Sequence, residues 1–352
     1  MNNNLDHHGG INAVELHELG IDPGKVIDFS TNINAYGPCL GVRKALSEVD
    51  VSSYPDRGSR ELRSLLSEKD NVPAEQILIG NGSSELIWLI CFKFLNAGDL
   101  VLICGPTFSE YERCARLMGA HIAHFVSREE YGFRHTIASM EEQCTRLQPR
   151  MCFICNPNNP SGKIIDPSDL SQLISMYPDT WFVVDEAYLA FIDGARSVYQ
   201  TQLKNLLVLR SMTKEYALAG LRLGYIIAER PIINELIQIR PAWNVNAAAQ
   251  AAGIAALNDE KYLSSSLKLL AANKHKLLKG LGKIGVVTIP SATHYFLCKV
   301  TDAVGYRQTM LQNYKIQVRD CSSFGLPDFI RICTRTPDDN QQLLAAMKEL
   351  SL

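Results

Sequence analysis

The 352-residue sequence predicts an α/β protein with a large three-layer domain around a mostly parallel seven-stranded sheet. A smaller α/β domain follows at the C-terminus, and an arm precedes both. Three observations carry this prediction. From about residue 39 to 230, helical patterns alternate with short apolar runs, which argues for parallel strands with helices on both faces. A leucine-periodic stretch then runs through Leu263, Leu267, Leu270, Leu277 and Leu278, as a long helix would. Beyond it, short apolar runs and two helical patterns recur on a smaller scale.

The elements follow in order. Residues 1–38 are turn-rich and polar and form the arm, expected to pack with the small domain. Residues 39–245 hold the large domain, with strands near 77–80, 100–103, 121–126, 151–155, 181–185, 206–210 and 224–228. Only about a dozen residues separate the last two, too few for an ordinary helical crossover. Residues 246–352 hold the linking helix and the small domain, with strands near 286–289, 295–300, 316–319 and 328–333 and helices near 303–313 and 337–350.

Chemistry gathers where the strands of the large domain end. Leu206-Leu207-Val208-Leu209-Arg210 runs into Ser211-Met212-Thr213-Lys214, and Arg222 follows eight residues later. Hydroxyls at Ser211 and Thr213 with the Arg222 guanidinium suit a phosphate dianion. Lys214 beside them suits an amine that bonds to the aldehyde of pyridoxal 5'-phosphate. The strand Trp181-Phe182-Val183-Val184 ends in Asp185, whose carboxylate would keep a pyridine nitrogen protonated. Tyr188, three residues on, and Asn159 in Asn156-Pro157-Asn158-Asn159-Pro160-Ser161-Gly162 can both reach the cofactor's phenolate oxygen. Gly82-Ser83-Ser84 opens a helix and offers free backbone N–H groups to a phosphate. Phe108, after the strand at 100–103, can stack on the ring. Each fragment alone reads equally as a turn, a cap or a core aromatic. Together they fit one ligand at the edge where open α/β sheets bind ligands.

These motifs, with His8-Gly9-Gly10, Asp28 to Asn34, Trp243-Asn244-Val245-Asn246 and Arg319 to Phe324, make the chain resemble fold-type I pyridoxal-phosphate enzymes of the aminotransferase superfamily. The resemblance spans nearly the whole chain and is nearest to the L-threonine-O-3-phosphate decarboxylases of cobalamin biosynthesis, then to the histidinol-phosphate aminotransferases. It implies a three-layer PLP-transferase domain in which strand 224–228 is antiparallel, with Lys214, Asp185 and Tyr188 catalytic. It also implies a homodimer in which Tyr54 reaches the neighbouring subunit's cofactor phosphate. Substrate would be held by His8, Asn32, Asn34, Arg319 and Arg331, the two arginines sharing a carboxylate and a phosphate. The alternative for Arg331 in Phe329-Ile330-Arg331-Ile332-Cys333 is a cation that faces solvent at a sheet edge or pairs with a structural carboxylate. Two positions depart from the family pattern: Ala35-Tyr36-Gly37-Pro38 replaces Pro-Leu-Gly-Pro, and Ser323 stands where asparagine is usual.

Composition narrows the remaining classes. Apolar content of 46% supports a large core, and a net charge of −2 gives no reason to expect nucleic acid or a membrane surface as partner. No apolar stretch approaches the ~20 residues that span a bilayer, and the first residues lack the pattern of a signal peptide. The expected setting is the cytoplasm, with the ten cysteines reduced. Cys152 and Cys155 form a C-x-x-C inside an apolar strand, where core packing is expected rather than redox or zinc chemistry, and no metal site is expected elsewhere. The expected reaction is decarboxylation of a small phosphorylated amino acid; transamination with 2-oxoglutarate is the alternative, and a ligand-sensing role is disfavoured by Lys214.

Overall fold

The computed structural model describes residues 9–201 and 203–350. They fall into two compact units. The smaller holds the described chain through Tyr36, Pro160–Gly162 and the chain from Ser266 onward; the larger holds Gly37–Asn159 and Lys163–Ser265. The larger unit therefore continues past 245, the boundary expected from sequence. It does so because the helix Ala247–Leu257 packs on the helices Leu40–Ser47 and Arg60–Asp70. Gly253 permits that approach, since a Cβ there would run into the side chains of Leu223 and Leu62.

The first strand, β1 (Ile27–Asp28), belongs to the smaller unit. The larger unit is built on β2 (Ile77–Gly80), β3 (Leu100–Gly105), β4 (His121–Val126), β5 (Met151–Cys155), β6 (Trp181–Asp185), β7 (Leu206–Ser211) and β8 (Gly224–Ile227). They form one seven-stranded sheet in the order β2-β8-β7-β6-β5-β3-β4. All pairs are parallel except those made by β8, which runs antiparallel to both β2 and β7, as the short connection after β7 requires. Each face of the sheet has its own core. Cys152, Ile154, Phe182 and Val184 point to one; Met151, Phe153, Cys155 and Val183 point to the other. Residues three apart on a strand face opposite sides, so the C-x-x-C thiols are divided by the sheet and cannot share a metal or a disulfide. All ten cysteines are buried free thiols.

The smaller unit adds β9 (Tyr295–Lys299), β10 (Ile316–Gln317), β11 (Arg319–Asp320) and β12 (Phe329–Cys333). β10 pairs in parallel with β1, while β11, β12 and β9 form an antiparallel sheet in that order. The single strand expected at 316–319 is thus two short strands, broken at the buried Val318 where the backbone changes partner. No strand forms at 286–289, where the pairing reduces to one bridge between Thr288 and Cys298. The helices Glu260–Lys283, Ala303–Tyr314 and Pro337–Leu350 match expectation, and Leu277, Leu281, Met310, Leu343 and Met347 join Phe29, Phe296, Ile330 and Ile332 in a third core.

Candidate active site

In the larger unit, the ends of β6 and β7 and the start of one helix bring most of the expected residues together. The helix Gly82–Phe94 forms because Leu86, Ile87, Leu89, Ile90, Cys91 and Phe94 bury a broad apolar face. Gly82 sits at its start with φ +78°, and a Cβ on it would lie 2.9 Å from Nη2 of Arg222. A Cβ on Gly224 would lie 2.8 Å from the Ser83 backbone nitrogen. The two glycines thus keep open the space between a guanidinium and a helix N-terminus, where any other residue would fill it. Ser211 and Thr213, both buried, hold each other's hydroxyls at 2.7 Å. Arg222, itself at φ +59°, anchors one nitrogen on the Ala219 carbonyl at 3.1 Å. Two hydroxyls, a helix N-terminus and a guanidinium, brought into close approach at positions where only glycine fits, are a fit for a phosphate group.

Asp185, at the end of β6, is buried; Tyr111 donates to it at 2.6 Å and the Ala187 N–H at 2.9 Å. Burial pushes its carboxyl above the ordinary range, while Tyr111, Ala187 and the Lys214 charge pull against that rise. A cation placed beside it would be strongly favoured, which suits a pyridinium nitrogen. Lys214 is half-buried in the four-residue helix Met212–Glu215 that follows β7 directly. Tyr188 and Asn159 are buried near the ends of β6 and β5. Phe108 meets Tyr111 edge-on at 5.6 Å, and Tyr111 stacks on Phe153 at 4.9 Å. Tyr54 stands apart, 80% exposed and stacked on Trp243 at 4.6 Å.

Three groups in this unit were missed from sequence alone. Tyr111 lies inside a helix and carries no motif. Glu85 accepts from the Asn81 N–H at 2.6 Å and from the Asn244 amide at 2.7 Å, which fixes the turn ahead of Gly82. Glu186 forms a buried ion pair with Arg210 at 3.1 Å behind the strand ends. A charged residue inside each of two apolar strand ends was the available signal for that pair.

In the smaller unit Arg319 and Arg331 lie directly opposite each other across β11 and β12. Both are buried, so Arg331 is no sheet-edge cation. Arg319 donates to Ser323 Oγ at 2.6 Å, pairs with Asp320 at 3.8 Å and lies over the Phe324 ring. Burial, then the Arg331 charge, bring its pKa down to about 10. Arg331 donates to the Ser30 carbonyl and lies over Tyr295. Gly9 packs against the same carbonyl so closely that no Cβ fits, and Gly10 N donates to Ser30 Oγ at 2.7 Å. Asn32 is buried with both side-chain polar atoms lacking a partner. The Asn34 amide donates to Ser266 at 2.8 Å and its oxygen accepts from Tyr36 N. His8 lies outside the described residues. The unusual Ser323 therefore has a place: it is the hydroxyl that receives Arg319.

Comparison with known proteins places the chain in a class. Residues 24–347 match the model of the family "Aminotransferase class I and II", and the chain belongs to that family. Its cofactor is pyridoxal 5'-phosphate, which the cradle around Gly82, Arg222 and Asp185 accommodates. Within the family, the chain is 35% identical to a histidinol-phosphate aminotransferase of Caldicellulosiruptor saccharolyticus over 95% of its own length and 93% of that protein. It is 33% identical to the adenosylcobalamin biosynthesis bifunctional protein CobDQ of Leptospira interrogans over 99% of its length, spanning 41% of that longer chain. Among solved structures it resembles L-threonine-O-3-phosphate decarboxylase of Porphyromonas gingivalis, with a TM-score of 0.80 and 28% identity over 92% of this chain and 98% of that one. The fold also matches histidinol-phosphate aminotransferase of Sinorhizobium meliloti in complex with pyridoxal-5'-phosphate, with a TM-score of 0.88 and 21% identity over 97% of this chain and 95% of that one. Among the described residues no helix is long and apolar enough to cross a membrane.

Proposed function

We propose that this enzyme is a carboxy-lyase that converts L-threonine O-3-phosphate to 1-aminopropan-2-ol phosphate for cobalamin biosynthesis, as a cytoplasmic homodimer. The observation that carries the reading is the opposed, buried pair Arg319 and Arg331. Two guanidiniums facing each other away from water are stable together when anions lie between or beside them. A substrate with both a carboxylate and a phosphate supplies two such anions, whereas histidinol phosphate has one. The Gly9-Gly10 segment drawn onto Ser30 beside Arg331, and the unsatisfied Asn32 amide, add polar groups for a second anion. The likeness to the Porphyromonas decarboxylase and to the Leptospira cobalamin protein points the same way.

The roles follow from the chemistry of the side chains. The bound cofactor supplies an electron sink for the bond broken at the substrate's Cα. Lys214 would be the amine that holds the cofactor's aldehyde carbon, and its amine is the group placed to return a proton to the substrate's Cα. Asp185, oriented by Tyr111, holds the ring nitrogen protonated. The Tyr188 hydroxyl and the Asn159 amide would donate to the phenolate oxygen, and Phe108 would cover the ring. Ser83, Ser84, Ser211, Thr213 and Arg222 hold the cofactor phosphate around Gly82, with Tyr54 reaching it from the neighbouring subunit. Arg319 and Arg331, with His8, Asn32 and Asn34, fix the substrate's anions so that the carboxylate stands out of the ring plane. No amino acceptor is consumed.

The 35% identity to a histidinol-phosphate aminotransferase favours a second reading, in which Lys214 moves the Cα proton to the cofactor and the arginines grip a single phosphate. One assay separates them. Holoenzyme with phosphothreonine should release carbon dioxide and aminopropanol phosphate with no 2-oxoglutarate present. Negligible release, with rapid glutamate formation from histidinol phosphate and 2-oxoglutarate, would establish the transaminase instead.

A further inference from the structure

Away from the cofactor cradle, the larger unit has a second place where positive charge converges. A cavity of about 290 Å³ opens along β2, which is an edge strand and pairs on one side only with β8. Its floor is Ile77, Leu78, Ile79 and Ile237, and its polar lining consists of three arginines, Arg57, Arg63 and Arg240. They come from three different elements: the turn before the helix Arg60–Asp70, the first turn of that helix, and the end of the helix Arg230–Ile239. No carboxylate lines the cavity. Glu85 is the acid that Arg240 senses, and its Oε2 already accepts from Asn81 and Asn244. Arg63 Nε is buried without a hydrogen-bond partner, and Arg240 spends one nitrogen on the Arg57 carbonyl at 2.9 Å. Desolvation holds Arg240 below its ordinary pKa; Glu85 opposes this, while Arg57 and Arg63 add to it. Arg240 therefore lies within electrostatic reach of the other two cations.

We propose that this cavity is a binding site for a small phosphate-bearing anion, distinct from the cofactor and substrate sites. Three guanidinium forks approaching from three elements can each take a pair of donors to one acceptor group. A carboxylate has two oxygens and satisfies at most two forks, whereas a phosphate dianion has enough acceptor positions for all three. The volume is close to the ~300 Å³ at the small end of small-molecule sites. Occupancy would bind the turn at Arg57 to the end of β2, immediately before the Gly80-Asn81-Gly82 turn. It would also steady the segment that carries Tyr54. The ligand is thus expected to stabilise the cofactor-loaded enzyme and to leave the chemical step unchanged.

The test uses holoenzyme, whose cofactor phosphate site is filled, with inorganic phosphate as probe and sodium chloride at matched ionic strength as reference. Thermal unfolding and calorimetric titration are measured for the unaltered enzyme and for Arg57→Met, Arg63→Met and Arg331→Met. Phosphate should raise the Tm of the unaltered enzyme and of Arg331→Met alike. In Arg57→Met and Arg63→Met its affinity should fall at least tenfold. In phosphate-free buffer Arg57→Met should unfold at a higher temperature than the unaltered enzyme, because a charge that repels Arg240 is gone, and at a lower one in saturating phosphate. A purely structural role does not produce that reversal. An unchanged phosphate response in both cavity variants would overturn the proposal. So would loss of the response in Arg331→Met alone, which would assign phosphate to the substrate arginines. Dissociation of the oligomer in Arg57→Met with no phosphate effect would assign the cluster to a subunit contact.

Discussion

At the strand ends that carry the candidate site residues, the two units handle buried charge differently. In the larger one, Glu186 is paired with Arg210, and Asp185 is met by the Tyr111 hydroxyl, the Ala187 N–H and the Lys214 charge. In the smaller one, two arginines face each other, with Asp320 3.8 Å from Arg319 and a serine hydroxyl, a backbone carbonyl and two aromatic rings beside the pair. A region that keeps its ligand through the catalytic cycle can balance its charges internally. One that must release its ligand each turnover leaves charge for that ligand to balance. Under the proposed function, the smaller unit's arrangement would cost stability in the free enzyme and return it as substrate affinity.

The largest effect expected is at Lys214. Lys214→Ala should lower turnover by about four orders of magnitude, the upper range for a group that both holds the reactant and transfers its proton. It should leave folding intact, since the side chain is half-buried at the end of a short helix. Borohydride reduction and peptide mapping should find the cofactor on Lys214 and on no other lysine. Mixing Lys214→Ala with an impaired Tyr54→Phe should restore activity if Tyr54 serves the neighbouring subunit. No recovery in demonstrated heterodimers would remove the shared site.

The comparison breaks or holds on a pair of methionine substitutions. Arg210→Met leaves Glu186 buried and unpaired, and should destabilise the fold by ~3–5 kcal/mol. Arg319→Met removes one of two opposed cations and should leave Tm unchanged or higher. Its cost should fall on kcat/KM for phosphothreonine, reduced roughly 10–150-fold for one charge-assisted contact worth ~1.5–3 kcal/mol. Denaturant melts beside initial rates measure both. If Arg319→Met unfolds as readily as Arg210→Met, the arginine pair is structural and the proposed anion fork loses its support.

The uneven treatment of charge also explains what the sequence disclosed. Apart from the half-exposed edge strand β4, which carries His121 and His124, the strands β2 to β8 were legible because each is a short, largely apolar run, the pattern of a strand buried on both faces. The cofactor residues were legible because they cluster just beyond those runs. The smaller unit was less so: Ile316-Gln317-Val318-Arg319 alternates apolar and polar like one strand, and only the tertiary context shows the backbone changing partner from β1 to β12. Tyr111 was invisible for a related reason. Its role depends on a helix crossing near the end of β6, and no local pattern encodes that meeting. Glu85 directly follows Gly82-Ser83-Ser84 and Asn244 lies in Trp243-Asn244-Val245-Asn246, yet their contact spans 159 positions.

A smaller effect is expected at Tyr111. Tyr111→Phe removes one hydrogen bond to the Asp185 carboxylate while keeping the ring stacked on Phe153. Loss of a bond to the charged form moves the Asp185 pKa further up, so the acid limb of the rate profile should shift to higher pH. The fall in kcat at the optimum should stay within about tenfold, the size of one charge-assisted bond near 1.5 kcal/mol. An unshifted acid limb would mean that Tyr111 serves packing alone.

Balance is also incomplete in the larger unit at Glu215, the neighbour of Lys214. This carboxyl is buried, and desolvation pushes its pKa up to about 7 from an ordinary 4.5, against the pull of Lys69 and Arg210. Between those values the folded chain holds a proton that the unfolded chain has released. The stabilisation is therefore fully present below pH 4.5 and is lost as pH rises through about 7. Across the whole window the loss amounts to at most about 3 kcal/mol, at ~1.4 kcal/mol per pH unit. Glu215→Gln keeps the shape and abolishes the titration. It should match the unaltered enzyme near pH 4 and exceed its stability at pH 8, the difference opening between those values. Measured as Tm against pH on holoenzyme, a gain that is constant with pH would show that Glu215 keeps its charge inside the fold. The larger unit would then be as fully compensated behind Lys214 as it is around Asp185.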